Sequence, residues 1–222
     1  MICIQSDERL QFITAHQSGN PLPLSRERKI AWAIKSGTAR TVPLFFCKEG
    51  RNMEKLSIYR ISDKYIRFLH TCDNRVQFNK DSRRPYVGVV LFVGEYRYFV
   101  PMESPKPNHA KIKSGVHIFK LDGGRLGMLG FNNMVPVPDC ALIEFNIDDE
   151  PDKRYRALLY NQLAEIDRNR AALFQRSAKT YFDVVNKTNE FLCRISCDFK
   201  ELERASKRYD PNHKTKKAKP EG

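Results

Sequence analysis

The 222-residue sequence lacks the short motifs of the common metal-dependent hydrolases and nucleases. It contains no H-E-x-x-H pair and no D-x-D loop, and none of its six cysteines forms a C-x-x-C pair. These absences argue against a two-metal nuclease, a zinc ribbon and a redox-active dithiol. We therefore expect no metal site and no cofactor.

Long apolar runs are also missing. The first twenty residues mix charged with polar side chains and lack the apolar core of a signal peptide. No apolar run approaches the length that spans a bilayer. We therefore expect a cytoplasmic protein with reduced thiols and no membrane partner.

Positive charge is in clear excess. The chain has 39 Lys and Arg against 26 Asp and Glu, which gives a formal net charge of +13. Its hydrophobic content of 41% is enough for a packed core. An excess of this sign predicts a polyanionic partner, with nucleic acid ahead of a membrane surface. A basic solvated surface without such a partner is the alternative that composition leaves open.

The chain divides into three segments by composition. Residues 1–52 show neither strand nor helix periodicity, and a strand-like pattern begins at Met53. We expect 1–52 to be an extra N-terminal segment, either disordered or upstream of the true start, with a real accessory segment as the alternative. Residues 53–206 form the predicted folded domain, and 207–222 form a predicted basic, disordered tail.

Within the middle segment, short strands come first and helices follow. The β-branched and aromatic residues of 86–100 fit two strands around a turn at Gly94-Glu95. Ser62 is a candidate N-cap for an earlier, short helix. After the acidic stretch 148–152, apolar residues recur at helical spacing. This order of elements predicts an α+β fold.

A proline-rich loop after the predicted strand pair concentrates reactive side chains. It runs Pro101-Met-Glu-Ser-Pro-Lys-Pro-Asn-His109 and contains three prolines, which restrict the backbone and stiffen the loop. A stiff loop can hold Ser104, Lys106 and His109 in fixed positions. A hydroxyl, an ammonium and an imidazole together suit chemistry on a phosphate ester.

Each of these side chains also has an ordinary structural interpretation. Lys106 lies between two prolines, so it costs little to order as a stabiliser of a phosphorane, but it can equally be an exposed loop lysine. Ser104 can bind the scissile phosphate or relay a proton, or it can bond its own turn. His109 has a reference pKa near neutrality, which suits proton transfer, and loop support is its alternative role.

The same loop resembles the Ser-Pro-Lys-x-x-His loop of the ToxN/AbiQ family, the endoribonuclease toxins of bacterial type III toxin–antitoxin systems. Three further blocks resemble that family in the right order, at 61–69, 87–91 and 154–163. The resemblance covers roughly Met53 to Asp210. It implies a small, bent antiparallel β-barrel of the Kid/MazF toxin type, with added helices that are mainly C-terminal.

The resemblance also implies a function. The expected activity is that of a metal-independent endoribonuclease toxin, which cleaves RNA by 2′-hydroxyl attack and leaves a 2′,3′-cyclic phosphate. A structured antitoxin RNA is the expected inhibitor, in a higher-order toxin–RNA assembly, and phage defence is the expected role. The alternative is a non-catalytic RNA-binding or target-poisoning module on the same barrel.

Site residues follow from the resemblance as well. Three residues match the catalytic positions: Ser104, Lys106 and His109. Arg84 lies where the family can carry a lysine, and it is expected to contact RNA phosphate. Further expected RNA contacts are Glu103 and the loop cations Lys80 and Arg83, which have solvated loop charge as their alternative. Glu103 departs from the family pattern, where threonine is expected, and phosphate repels a glutamate unless it acts as a base or pairs with Lys106.

Overall fold

The computed structural model describes residues 56–212, and the expectations for 1–55 and 213–222 lie outside that range. Its strands are β1 (Ser57–Ile61), β2 (Tyr86–Val93), β3 (Tyr96–Glu103), β4 (Ile118–Lys120), β5 (Met128–Gly130), β6 (Val135–Pro136) and β7 (Leu142–Glu144). Its α-helices are α1 (Asp63–Cys72), α2 (Lys153–Arg168), α3 (Arg170–Val185), α4 (Glu190–Ile195) and α5 (Phe199–Arg208). Strands therefore dominate the first part of this range and helices the last, which confirms the predicted α+β class.

The strands form one antiparallel sheet in the order β4-β5-β3-β2-β1-β7, with β6 also paired to β3. The β2–β3 hairpin turns at Gly94-Glu95, as predicted, and Gly94 takes a left-handed φ of 58°. A register shift between Val87 and Leu91 interrupts the pairing of β2 with β3.

The sheet is open, so the expected closure into a Kid/MazF-type barrel is not confirmed. Its two end strands, β4 and β7, are not neighbours in the strand order found between residues 56 and 212. The four strands after β3 have only two or three residues each and alternate with short 3-10 helices. Such short segments carry too few hydrogen bonds to continue the pairing around a closed barrel.

Helix α1 begins where the sequence predicts, but its capping group comes from elsewhere. Ser62 occupies the N-cap position without a side-chain cap bond. The backbone N–H of Asp63 donates instead to Ser82 Oγ, at 2.8 Å and 19 residues further along the chain. The local pattern thus located the helix start, whereas the cap depends on a tertiary contact.

The last helix continues into the segment expected to be a disordered tail. Helix α5 ends at Arg208, and Tyr209 packs its ring 4.7 Å from that of Tyr65 and 5.3 Å from that of Phe68. Ring packing on α1 orders this short stretch although few apolar residues surround it in sequence. The folded part therefore extends a few residues beyond the predicted boundary at 206.

A buried carboxylate joins the sheet to the C-terminal helices. Glu203 on α5 accepts hydrogen bonds from Tyr98 on β3 at 2.9 Å, from Tyr181 on α3 at 2.6 Å and from Lys200 at 2.8 Å. The ring of Phe199 stacks on that of Tyr181 at 5.6 Å. Burial, reinforced by the Glu203 charge, raises the pKa of Tyr98 well above its ordinary value. Tyr98 is therefore a neutral donor at any physiological pH.

The described range contains four cysteines, at 72, 140, 193 and 197, and all four are free thiols. No helix between residues 56 and 212 is long and apolar enough to cross a membrane.

Replacing Glu203 should destabilise the fold. Glu203→Ala leaves two buried phenol hydroxyls and Lys200 without their shared acceptor, so we expect a loss of about 3 kcal/mol or more in unfolding free energy. Urea denaturation followed by circular dichroism measures it. Glu201→Ala on the same helix is the matched control, because Glu201 pairs with arginines at the surface and should matter far less. Equal losses in the two variants would contradict the assigned role.

Candidate active site

The proline-rich loop leaves the sheet at the end of β3, and both sides of that strand end are fixed. Glu103 pairs with Met128 of β5 on one side. On the other, the backbone N–H of Met102 donates to the Pro85 carbonyl at 3.0 Å. The loop ends in a 3-10 helix, His109–Lys111. Its starting point is therefore set by the sheet.

Gly127, just before β5, permits a close contact with the backbone of Glu103. It has a φ of 103°, and a Cβ added to it would lie 2.0 Å from the Glu103 carbonyl oxygen. Gly124 lies against the far end of the loop, where an added Cβ would come within 3.2 Å of His109. Side chains at either position would push the loop away from this segment.

The Glu103 carboxylate lies between the two other ionisable groups of the loop. Its Oε2 is 3.3 Å from Lys106 Nζ and 3.7 Å from His109 Nε2. The backbone N–H of His109 donates to the Lys106 carbonyl at 3.0 Å, which closes the turn between them. The loop thus brings Lys106 and His109 to a single carboxylate oxygen.

The predicted catalytic residues differ in their access to solvent. The Lys106 side chain is 59% exposed and Ser104 is also exposed, whereas the His109 side chain is only 1% exposed. Neither ring nitrogen of His109 has a hydrogen-bond partner. Ser104 and Lys106 can therefore meet a large ligand directly, while His109 lies buried beneath the loop surface.

A second loop, residues 79–84 before β2, carries the predicted RNA-binding cations. Asn79 is fully buried, and its side-chain amide donates to the backbone of β1 at 2.6 Å. Lys80, Asp81 and Ser82 all have left-handed φ values, of 55°, 57° and 61°. The N–H of Arg84 returns to the Asn79 carbonyl at 2.9 Å. Consecutive left-handed residues without glycine are a costly conformation of the kind found at functional sites.

The cations of this loop remain open to solvent to different degrees. Lys80 and Arg83 are exposed, and Arg84 is half-buried with its guanidinium 2.5 Å from Gln77 Oε1. The backbone bond from Met102 to Pro85 connects this loop to the start of the proline-rich loop. The structure therefore brings the two predicted groups to neighbouring positions at one end of β2 and β3.

The other described histidines occupy structural positions. His70 Nδ1 lies 2.7 Å from the Val76 carbonyl. His117 meets the Phe191 ring edge-on at 5.5 Å, and burial lowers the pKa of His117, which keeps it neutral. Over residues 56–212, no three His, Cys, Asp or Glu side chains gather as a metal ion would need.

Sequence reasoning missed two residues that shape the site. Asn79 anchors the basic loop, and Gly127 allows close packing beneath Glu103. An asparagine in a polar loop carries no local sign of burial. Gly127 lies in a glycine-rich stretch that predicts only a turn, and its packing partner is more than twenty residues earlier.

Comparison with known proteins decides the family. Residues 57–207 match the family model described as Toxin ToxN of the type III toxin–antitoxin system. The chain belongs to the ToxN family. The resemblance inferred from the proline-rich loop and three further blocks is thereby confirmed.

Two relatives match this ToxN-family chain over most of their length. It is 32% identical to Endoribonuclease ToxN of Bacillus thuringiensis subsp. kurstaki over 174 residues, which covers 74% of this chain and 90% of that protein. It is 29% identical to Endoribonuclease AbiQ of Lactococcus lactis subsp. lactis over 170 residues, which covers 72% and 91%.

Solved structures of ToxN-type toxins share the fold. One concerns selective toxin inhibition by a non-coding RNA pseudoknot in type III systems; it superposes with a TM-score of 0.64 at 32% identity, over 70% of this chain and 98% of that one. A second is AbiQ, a lactococcal anti-phage endoribonuclease of a type III system, with a TM-score of 0.63 at 26% identity, over 69% and 97%.

The close packing at Gly127 yields a stability test. We expect Gly127→Ala to reduce the unfolding free energy by about 1–3 kcal/mol more than Gly123→Ala, because the new methyl overlaps the Glu103 carbonyl. Gly123 is the matched control: its φ is also positive, at 65°, but an added Cβ meets nothing within 4 Å. Chemical denaturation of both variants gives the difference. Similar losses would show that backbone strain alone, and not the contact with Glu103, requires glycine at 127.

Proposed function

We propose that this chain is a metal-independent endoribonuclease toxin of a type III toxin–antitoxin system, acting in the cytoplasm in phage defence. The observation that carries the proposal is the exposed Lys106 ammonium beside Glu103, on a loop fixed by proline and by the sheet. The endoribonuclease names of the two relatives, and the anti-phage role of AbiQ, support the activity and the biological role.

The chemistry requires no cofactor in this proposal. The 2′-oxygen of RNA attacks the adjacent phosphorus, the P–O2′ bond forms and the P–O5′ bond breaks, which leaves a 2′,3′-cyclic phosphate and a 5′-hydroxyl. Lys106 neutralises the phosphorane, and Ser104 donates a hydrogen bond to a non-bridging oxygen. Arg83, Arg84 and Lys80 bind flanking phosphates, which aligns the strand across the loop.

We infer that the toxin domain comprises the predicted residues 53–206 together with the end of α5 and Tyr209, with 1–52 as an extra segment. The family match from 57 to 207 supports this assignment, because it begins close to Met53 and ends close to the end of α5.

The inhibitor in this proposal is a structured antitoxin RNA that occupies the same basic surface. The solved toxin structure with an RNA pseudoknot inhibitor supports this, as does the net charge of +13. Phosphate neutralisation supplies most of the RNA affinity, so binding should weaken steeply with salt.

A second basic surface supports the higher-order toxin–RNA assembly. A groove among α3, α4 and α5 is lined by five cations and two carboxylates: Arg75, Lys187, Arg194, Lys200, Arg204, Glu190 and Asp198. Three of these cations already pair with Asp73, Glu203 and Glu201, so Lys187 and Arg194 are the ones available to an RNA phosphate. It includes no residue of either active-site loop. A toxin with two separate basic surfaces can contact two RNA segments at once, which is what an assembly larger than one toxin and one RNA requires.

The activity is tested with purified full-length protein and a labelled single-stranded RNA in EDTA. We expect cleavage to proceed and to leave 2′,3′-cyclic phosphate ends, which mass spectrometry identifies. Lys106→Ala should slow cleavage by about 10²–10³-fold, the scale of a lost oxyanion donor. Lys111→Ala, an exposed lysine just after the loop, is the control. A strict requirement for Mg²⁺, 5′-phosphate products or a fully active Lys106→Ala protein would contradict the proposal. A well-folded protein that binds RNA without cleaving it would favour the non-catalytic alternative.

Two double charge-reversal variants distinguish the roles of the two basic surfaces. Arg83→Glu with Arg84→Glu should weaken antitoxin RNA binding and reduce cleavage, because both use that loop. Lys187→Glu with Arg194→Glu should leave cleavage unchanged and reduce the mass of the toxin–antitoxin complex. Filter binding over a salt series and light scattering provide the measurements. If the first pair abolishes cleavage while antitoxin affinity stays intact, inhibitor and substrate do not share a surface.

A further inference from the structure

Cleavage by a 2′-hydroxyl needs a group that removes its proton, and the loop contains two side chains that can accept one, Glu103 and His109. His109 is poorly placed for direct contact, because its side chain is 1% exposed. The Glu103 side chain is 24% exposed, and its Oε2 is 3.3 Å from the Lys106 ammonium. A phosphate bound at Lys106 therefore lies within a few ångströms of this carboxylate.

We propose that Glu103 is the general base of the reaction and that His109 is a positioning residue acting through it. This rests on the proposed nuclease function. The 2′-hydroxyl proton passes to a Glu103 carboxylate oxygen as the P–O2′ bond forms. The P–O5′ bond breaks, and the departing 5′-oxygen takes a proton from water. The hydroxide left behind takes the proton from Glu103, which restores the carboxylate.

The ion pair between Glu103 and Lys106 can be broken when RNA binds. Its ammonium end is 59% exposed, so solvent weakens the pair and a phosphate can take over the ammonium. Glu103 then loses its cation partner but stays beside the bound phosphate. Lys106 screens the repulsion between the two anions, which would otherwise oppose RNA binding at this position.

The buried imidazole of His109 is a second, independent observation that supports its role as a positioning residue. His109 is buried with neither ring nitrogen bonded, and such groups are rare because an unmade bond is costly. Its Nε2 is 3.7 Å from Glu103 Oε2, slightly beyond hydrogen-bond range. When Glu103 leaves Lys106, a shift of less than 1 Å lets Nε2–H donate to the carboxylate and orient it.

Other charged side chains on the adjoining elements have their own partners. The neighbour of Glu103 in the sheet, Met128, is apolar. Arg84 donates to Gln77, and Lys120 of β4 donates to the Ala110 carbonyl at 2.9 Å. Lys106 and His109 are therefore the ionisable side chains that act on this carboxylate.

The test is the single-turnover cleavage rate of the full chain as a function of pH. We expect the wild-type rate to fall as the pH is lowered, because only an unprotonated base can accept the 2′-hydroxyl proton. Glu103→Gln should lower the neutral-pH rate by about 10²–10⁴-fold, the range of a lost general base. It should also abolish the acid limb, which is the fall in rate at low pH. RNA affinity of this variant should be unchanged or higher, since a negative charge is removed. Glu144→Gln, an exposed site on β7, is the control and should match wild type.

Two further variants keep the proposal falsifiable if the glutamine variant folds poorly. Glu103→Asp retains a carboxylate and should keep the acid limb at a reduced rate. His109→Asn should lower the rate but also keep the limb. Loss of the limb in His109→Asn together with its retention in Glu103→Gln would overturn the proposal in favour of the imidazole. A fully active Glu103→Gln protein would overturn it while leaving the nuclease function intact, whereas absence of cleavage by wild type would refute that function itself.

Discussion

The pairing of strand β3 is the constraint on which the rest of the molecule depends. This strand is hydrogen-bonded to β2, β5 and β6. Its third residue, Tyr98, is buried and bonds Glu203 of α5, while its last residue, Glu103, begins the reactive loop. Core packing and site geometry are therefore fixed by one element, and a shift of β3 by one residue would disturb both together.

The site combines rigid backbone with weakly bound charge. Prolines, sheet pairing and close glycine packing fix where the loop runs, whereas the Lys106 ammonium is mostly in water. A preorganised backbone lowers the entropy lost when substrate binds. A cation that is mostly in water can easily exchange one anionic partner for another. In the proposed reaction, this division holds the carboxylate near the strand end and leaves its cation free to meet an incoming phosphate.

Local features could be predicted from sequence, and features that depend on distant contacts could not. The hairpin turn at Gly94 and the start of α1 follow from contiguous residues, and the proposed chemistry of the proline-rich loop rests on contiguous residues too. The capping of α1 by Ser82, the anchoring by Asn79 and the burial of His109 each need a partner that only the folded chain supplies. The open form of the sheet could not be predicted for the same reason, because barrel closure depends on how far short strands continue to pair.

The contact between Tyr98 and Glu203 also sets the order in which the protein can be completed. A growing chain carries Tyr98 and Tyr181 out of the ribosome well before Glu203 is made. Until α5 arrives, neither hydroxyl has its bond to Glu203, and the aromatic faces that α5 covers remain in water. The nascent chain therefore stays incompletely packed until almost the whole of the described fold has been translated.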